Sequence, residues 1–348
     1  MKIQQTSLFI CGAVLVPLLT GCGSGTVDPE TLKKLPSPRQ EMTDFKAEPN
    51  AMTSPLREGE LELMAQAQDL LRAGDYEAIE NRLKQLRTSR AANAMGQSKL
   101  LIFYSGLGYV RIDSPRSEVR IQEQLLANWR NKHPESLAAQ LAQAYLYRSW
   151  MYMADDEPDN NSQATDEKLA EAQAIIDATR AKGQQELDWH LVACKVGYLS
   201  LGSSDKRAAV VDAALARFPD VTEFHLQHVS LLGGPWQQYA DRAAQSRKGS
   251  EGDKLYAQLW WYACAIARTV PCPDLKNFDW PRAKRGFEVL LKGDDPTSVA
   301  GAYAVAAWIA RDRATLRHVF VKYKARTGAW RSFRNYLEAR KWVFTDRA

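Results

Sequence analysis

The sequence is poor in the short patterns that carry chemistry. It contains no G-x-S-x-G elbow, no H-E-x-x-H pair and no phosphate-binding glycine loop. Acyl transfer by an exposed serine, zinc hydrolysis and nucleotide hydrolysis therefore have no local signature. Beyond the first twenty residues there is no apolar run long and uncharged enough to cross a bilayer, which takes about 20 residues. Alternating strand patterns are missing too, and the β-branched pair Val210-Val211 sits inside a helical pattern. Charge of one sign is scarce: 46 Lys and Arg against 41 Asp and Glu leave +5 over 348 residues. That balance reads as mild and evenly spread, and it predicts no nucleic-acid partner. The content of 25% charged and 45% hydrophobic residues is that of a folded domain.

What is present begins with Lys2 and an apolar run from Leu8 to Leu19, interrupted by Gly12 and Pro17. A run of about a dozen residues is too short to span a bilayer and has the form of a secretory leader. It ends in Leu19-Thr20-Gly21-Cys22, which closely resembles the bacterial lipobox. The resemblance implies cleavage before Cys22 and lipidation of Cys22, so residues 1–21 are expected to be a lipoprotein signal peptide. Several acyl chains, each methylene contributing about 0.8 kcal/mol, make such an anchor nearly permanent. Gly23, not Asp, follows the cysteine. In a Gram-negative cell that resembles the pattern sent to the outer membrane, facing the periplasm. The expected location is the bacterial cell envelope, with the membrane reached through the lipid anchor.

Of five cysteines, Cys11 leaves with the leader and Cys22 takes the lipid. Cys194, Cys264 and Cys272 remain in an oxidising compartment. Cys264 and Cys272, eight apart with Pro271 between them, are the candidate disulfide, placed where a helix ends and the chain turns back. The alternative is three small buried apolar residues.

Residues 22–56 are expected to be a flexible tether, because proline, charge and small polar residues dominate and periodicity is absent. Its root-mean-square reach is roughly 30 Å. Residues 57–348 form the expected helical domain. Leu61, Met64, Ala65, Leu70 and Leu71 mark a first apolar face. Ala73-Gly74-Asp75-Tyr76 then stops that helix and starts another, with Tyr76, Ile79, Leu83 and Leu86 facing in. Turns are expected at residues 112–115, 132–136, 155–165, 218–220, 233–236, 248–253, 293–296 and 311–313, where Pro, Gly, Asp and Ser collect. Helices with one apolar face bury it by stacking on neighbours. The fold class is therefore all-α, an irregular tetratricopeptide-like array of antiparallel helix pairs, an α-solenoid.

Six segments occur in order: LLRAGDYEAIENRLKQLRTSR, KLLIFYSGLGY, HPESLAAQLAQAYLYRSW, GGPWQQYADRA, GDKLYAQLWWY and FDWPRAKRGFEVLL. That order resembles the bacterial domain-of-unknown-function family 4034, a tetratricopeptide-like helical domain, over most of residues 60–325. The resemblance implies the helical fold and supplies no catalytic or ligand-binding residue.

Three local features bear on chemistry. His225 and His228 share a helix face, but nothing nearby completes the three or four ligands a metal needs. The oxygen-rich stretch from Asp155 to Asp166 lacks the glycine of a calcium loop and contains Pro158; Thr165 is expected to cap the next helix. Ten tryptophans, Trp260-Trp261 among them, suit inter-helix packing with one or two left as anchors for a ligand. No catalytic residue, metal or cofactor is expected. The expected role is protein binding or scaffolding by a lipid-anchored helical array, with an envelope protein or peptide as partner. The alternative is an envelope enzyme or metal-dependent factor on the same scaffold.

Overall fold

The computed structural model describes residues 58–108, 116–150, 161–232, 236–265, 278–323, 325, 329–330 and 333–345. The expected leader (1–21) and tether (22–56), Cys22 among them, and Cys272, with it the candidate disulfide, lie outside these residues, as do the expected turns at 112–115 and 233–235 and residues 155–160 of the turn expected at 155–165. Fifteen helices form among the described residues. The first eight are α1 (Glu58–Ala73), α2 (Tyr76–Ser89), α3 (Lys99–Leu107), α4 (Arg116–Lys132), α5 (Leu137–Ser149), α6 (Asn161–Gly183), α7 (Leu187–Ser200) and α8 (Ser204–Arg217). Then come α9 (Thr222–Leu232), α10 (Trp236–Gln245), α11 (Ser250–Ala265), α12 (Trp280–Leu290), α13 (Pro296–Ile309), α14 (Arg313–Tyr323) and α15 (Phe333–Phe344). Among the described residues there is no strand, only an isolated bridge between Ala92 and Ser98, and no helix is long and apolar enough to cross a membrane.

The helices form the expected array, in two layers. α1, α3, α5, α7, α9 and α11 pack side by side in that order, while the even helices pack chiefly on their chain neighbours. Burial follows the layers. α3 is apolar almost throughout and buries Leu100, Leu101, Ile102, Phe103, Tyr104 and Leu107, as a helix enclosed by neighbours must. α2 buries only the stripe Tyr76, Ile79, Leu83 and Leu86, the face its periodicity predicts. Two cores result. The first runs from Leu71 and Phe103 through Trp129 and Leu191 to Phe224. The second runs from Leu226 and Val229 through Trp260 and Phe287 to Phe320 and Trp330. The array is continuous because α9 lends residues to both.

Local signals set the turns. Gly74 takes the left-handed conformation (φ 67°), and Asp75 caps α2 by accepting the Ala78 N–H at 3.0 Å. Ser136, Asp279 and Asp295 cap α5, α12 and α13 in the same way, and Pro296 occupies the first turn of α13. Two expectations need correction. The buried face of α1 is Leu63, Met64, Ala67 and Leu71, with Leu61 and Ala65 exposed. The helix is rotated from the predicted stripe because α3 packs so closely that a Cβ on Gly106 would stand 2.5 Å from the Met64 carbonyl oxygen. Thr165 lies inside α6, not at its start, because the helix begins at Asn161.

Between α2 and α3 the chain makes a tight hairpin that reaches across the inner layer. The Asn93 side chain accepts the Met95 and Gln97 N–H groups (3.0 and 2.9 Å). The Ala94 carbonyl accepts Gln258 Nε2 of α11 at 2.8 Å. Gly96, at φ 88°, sits where a Cβ would be 2.3 Å from Thr222 Cγ2, so only glycine fits this approach to α9. The hairpin thus ties the start of the array to α9 and α11.

Candidate functional site

Side chains from successive odd helices meet in a line along the inner layer. Ser105 of α3 and Tyr145 of α5 bring their hydroxyls to 2.6 Å. Beyond them, Lys195 of α7 pairs with Glu223 of α9, Nζ to Oε1 2.9 Å. Glu223 also accepts Gln227 Nε2 at 3.1 Å and the Ser98 N–H at 3.2 Å. Tyr262 of α11 meets Ser230 and stands near Lys195, Glu223 and Tyr198. Tyr198, with Arg207 5.5 Å over its ring, is 45% exposed and forms the open edge of the line.

The charges of this line are paired with each other. Glu223 is buried but has three partners, which is what makes a buried carboxylate tolerable. Burial pulls the Lys195 ammonium down, and Glu223, with the Tyr262 and Tyr145 hydroxyls, more than reverses that, so it sits above the usual lysine range. Such a lysine stays protonated and is neither base nor nucleophile near neutrality. Its neighbour Cys194 is buried and its thiol is pushed up to about 12, far from the thiolate a reactive cysteine needs.

The chain matches no protein-family model, no curated protein and no solved structure.

The remaining candidates fall into place around the inner layer. His225 and His228 do share a face, and both lie against Tyr239 of α10. His225 has both ring nitrogens engaged: Nε2 meets the Pro219 carbonyl at 2.8 Å and Nδ1 the Tyr239 hydroxyl at 2.7 Å. The carbonyl can only accept, so Nε2 carries the proton and Nδ1 accepts from the tyrosine. Burial pushes the His225 imidazole down to about 4. His228 stacks on Tyr239 with centroids 4.3 Å apart, and Asp212 approaches its Nδ1 at 3.1 Å. Burial pulls His228 down, and Asp212 offsets this only in part. Among the described residues no three His, Cys, Asp or Glu side chains are placed to hold a metal. Cys264 is buried in the last turn of α11. Trp260 is buried and Trp261 half-buried, so most of this pair packs between helices.

A second polar cluster lies deeper. Asp188, at the first turn of α7 and wholly buried, accepts Arg87 Nη2 of α2 at 2.6 Å and the Tyr104 hydroxyl of α3 at 3.0 Å. Burial and the Asp188 charge together push Tyr104 well up. This cluster joins three helices and reaches solvent only through Arg87, whose side chain is 31% exposed and lies 3.7 Å from Glu186.

Sequence reasoning did not find Tyr145, Lys195, Glu223 or Tyr262. The one signal available was polar residues interrupting otherwise apolar helices: Lys195 in LDWHLVACKVGYLS and Glu223 with Gln227 in TEFHLQHVSLL.

Proposed function

We propose that this chain is a lipid-anchored, non-catalytic scaffold of the bacterial envelope whose inner helical layer binds a segment of another envelope protein. The lipobox-like Leu19-Thr20-Gly21-Cys22 supports the location, in the outer membrane if the cell is Gram-negative. The resemblance of residues 60–325 to the domain-of-unknown-function family 4034 agrees with a helical array and adds no activity. One observation carries the binding role. Consecutive odd helices carry a line of hydroxyl, amide and charged groups ending at exposed Tyr198, and its Lys195 is held above the usual lysine range. Such a line suits hydrogen bonding to an extended polypeptide, with tyrosine as anchor, and a lysine held protonated favours binding over general-base chemistry.

A photo-cross-linking residue at Tyr198 tests this in intact cells. It should give one discrete cross-linked protein, and Lys195→Met should weaken that product. The same residue at Ile121, 61% exposed on α4, should not give it. Equal products from both positions, or none from Tyr198, would reject the inner layer as the binding face.

A further inference from the structure

The charge is not evenly spread, contrary to the expectation from the totals. Residues 311–348 contain eleven Lys and Arg and three Asp and Glu, a net +8 in a chain whose total is +5, leaving −3 for residues 1–310. The structure places much of this excess on one end of the array. On α14, Leu316, Val319 and Phe320 are buried, and Arg317, His318, Val321 and Lys322 lie on the opposite side. On α15, Tyr336, Ala339 and Val343 are buried, while Arg334, Glu338 and Lys341 face out. At the junction, Arg311 takes a left-handed conformation (φ 57°). It sits between two half-buried tryptophans, 5.8 Å from the Trp308 ring and 5.9 Å from that of Trp342. Arg313 donates to the Val343 and Thr345 carbonyls at 3.3 and 3.1 Å, which locks the start of α14 to the end of α15.

Both described carboxylates of this region are engaged. Asp312 turns to Trp280, Lys284 and Thr315, and Glu338 pairs with Arg334 at 2.9 Å. No described carboxylate forms an ion pair with Arg311, Lys322 or Lys341.

We propose that this terminal face docks on an anionic lipid surface, with Arg311, Lys322 and Lys341 toward the headgroup phosphates and Trp308 and Trp342 at headgroup depth. Cations flanked by tryptophan are the combination that a membrane interface accommodates, and anionic headgroups supply the opposite charge. An acidic protein would satisfy the cations and leave the tryptophans without that role. The inference rests on the lipid anchor proposed above, since the expected tether, with a reach of roughly 30 Å, would keep the domain near the bilayer, so a weak surface suffices.

The test uses the full lipidated protein added to vesicles of phosphatidylcholine alone or mixed with phosphatidylglycerol. Acylation of Lys322 and Lys341 is followed by mass spectrometry, with Lys182 and Lys254 as references. Anionic vesicles should slow acylation of Lys322 and Lys341 several-fold at low salt, and high salt should restore it. The references should not change. Arg311→Glu should reduce the protection; if that variant does not fold, the salt comparison in the unaltered protein decides. Equal rates in both vesicle types would overturn the proposal. So would equal protection in neutral vesicles by a soluble acidic polypeptide or DNA, which would assign the face to a soluble polyanion. Flotation with neutral vesicles reads the anchor separately, so its failure is distinguishable from failure of the patch.

Discussion

α7 and α8 are both fourteen residues long and consecutive in the chain, yet they bury ten residues and two. The difference lies in their layer. α7 has α5 and α9 on its flanks and α6 and α8 across from it. Among the described helices α8 packs chiefly on α7 and α9, with its other side toward solvent. Polar groups inherit this contrast. In the inner layer a carboxylate such as Asp188 or Glu223 survives only with several partners at hydrogen-bonding distance. In the outer layer and its loops, ion pairs form and dissolve with little consequence. The array is built on two apolar cores with a few buried polar links among them, while solvent-facing ion pairs contribute little.

The contrast is tested most severely by Arg87→Ala. It leaves Asp188 charged and buried with only the Tyr104 hydroxyl, which should cost about 3–5 kcal/mol, read from urea denaturation. Adding Asp188→Asn should recover part of the loss. If Arg87→Ala is neutral, the buried cluster does not hold the layers together.

The next effect is set by pH. His225 has a folded-state value of about 4 against 6.5 for the free side chain, so below pH 6.5 the unfolded chain takes up a proton that the folded chain refuses. Stability from this group is complete above pH 6.5 and is lost as pH falls toward 4, by roughly 3 kcal/mol in total. The groups facing the imidazole are Tyr239, His228, Arg247 and Asp220. His225→Gln should flatten this part of the stability–pH curve. An unchanged slope between pH 6.5 and 4 in that variant would show that another group causes it.

The smallest effect is expected outside. Lys182 and Glu135 meet at 2.5 Å but are 58% and 85% exposed, and Lys182→Ala should leave the denaturation midpoint unchanged within error. A loss comparable to that of Arg87→Ala would erase the distinction between the layers.

The helical class was legible because its signals are local. The period of Tyr76, Ile79, Leu83 and Leu86, the Gly74-Asp75 stop and start, and the turns at 132–136 and 293–296 depend on residues within a turn or two of one another. The same local logic failed for α1, whose buried stripe depends on how closely Gly106 lets α3 approach, and for α6, which begins within a polar stretch that read as loop.

The sequence by itself determined the helical class, several of the turns between helices and the +8 excess of its last 38 residues. Only the tertiary structure decided that Lys195 meets Glu223, that Asp188 meets Arg87 and Tyr104, and that the hairpin at Gly96 reaches α9 and α11. Arg87 and Asp188 are 101 positions apart. Helix periodicity says which side of a helix is apolar, but not which neighbour covers it. That is set by how the layers pack, and a polar group's charge, partners and reactivity follow from the packing.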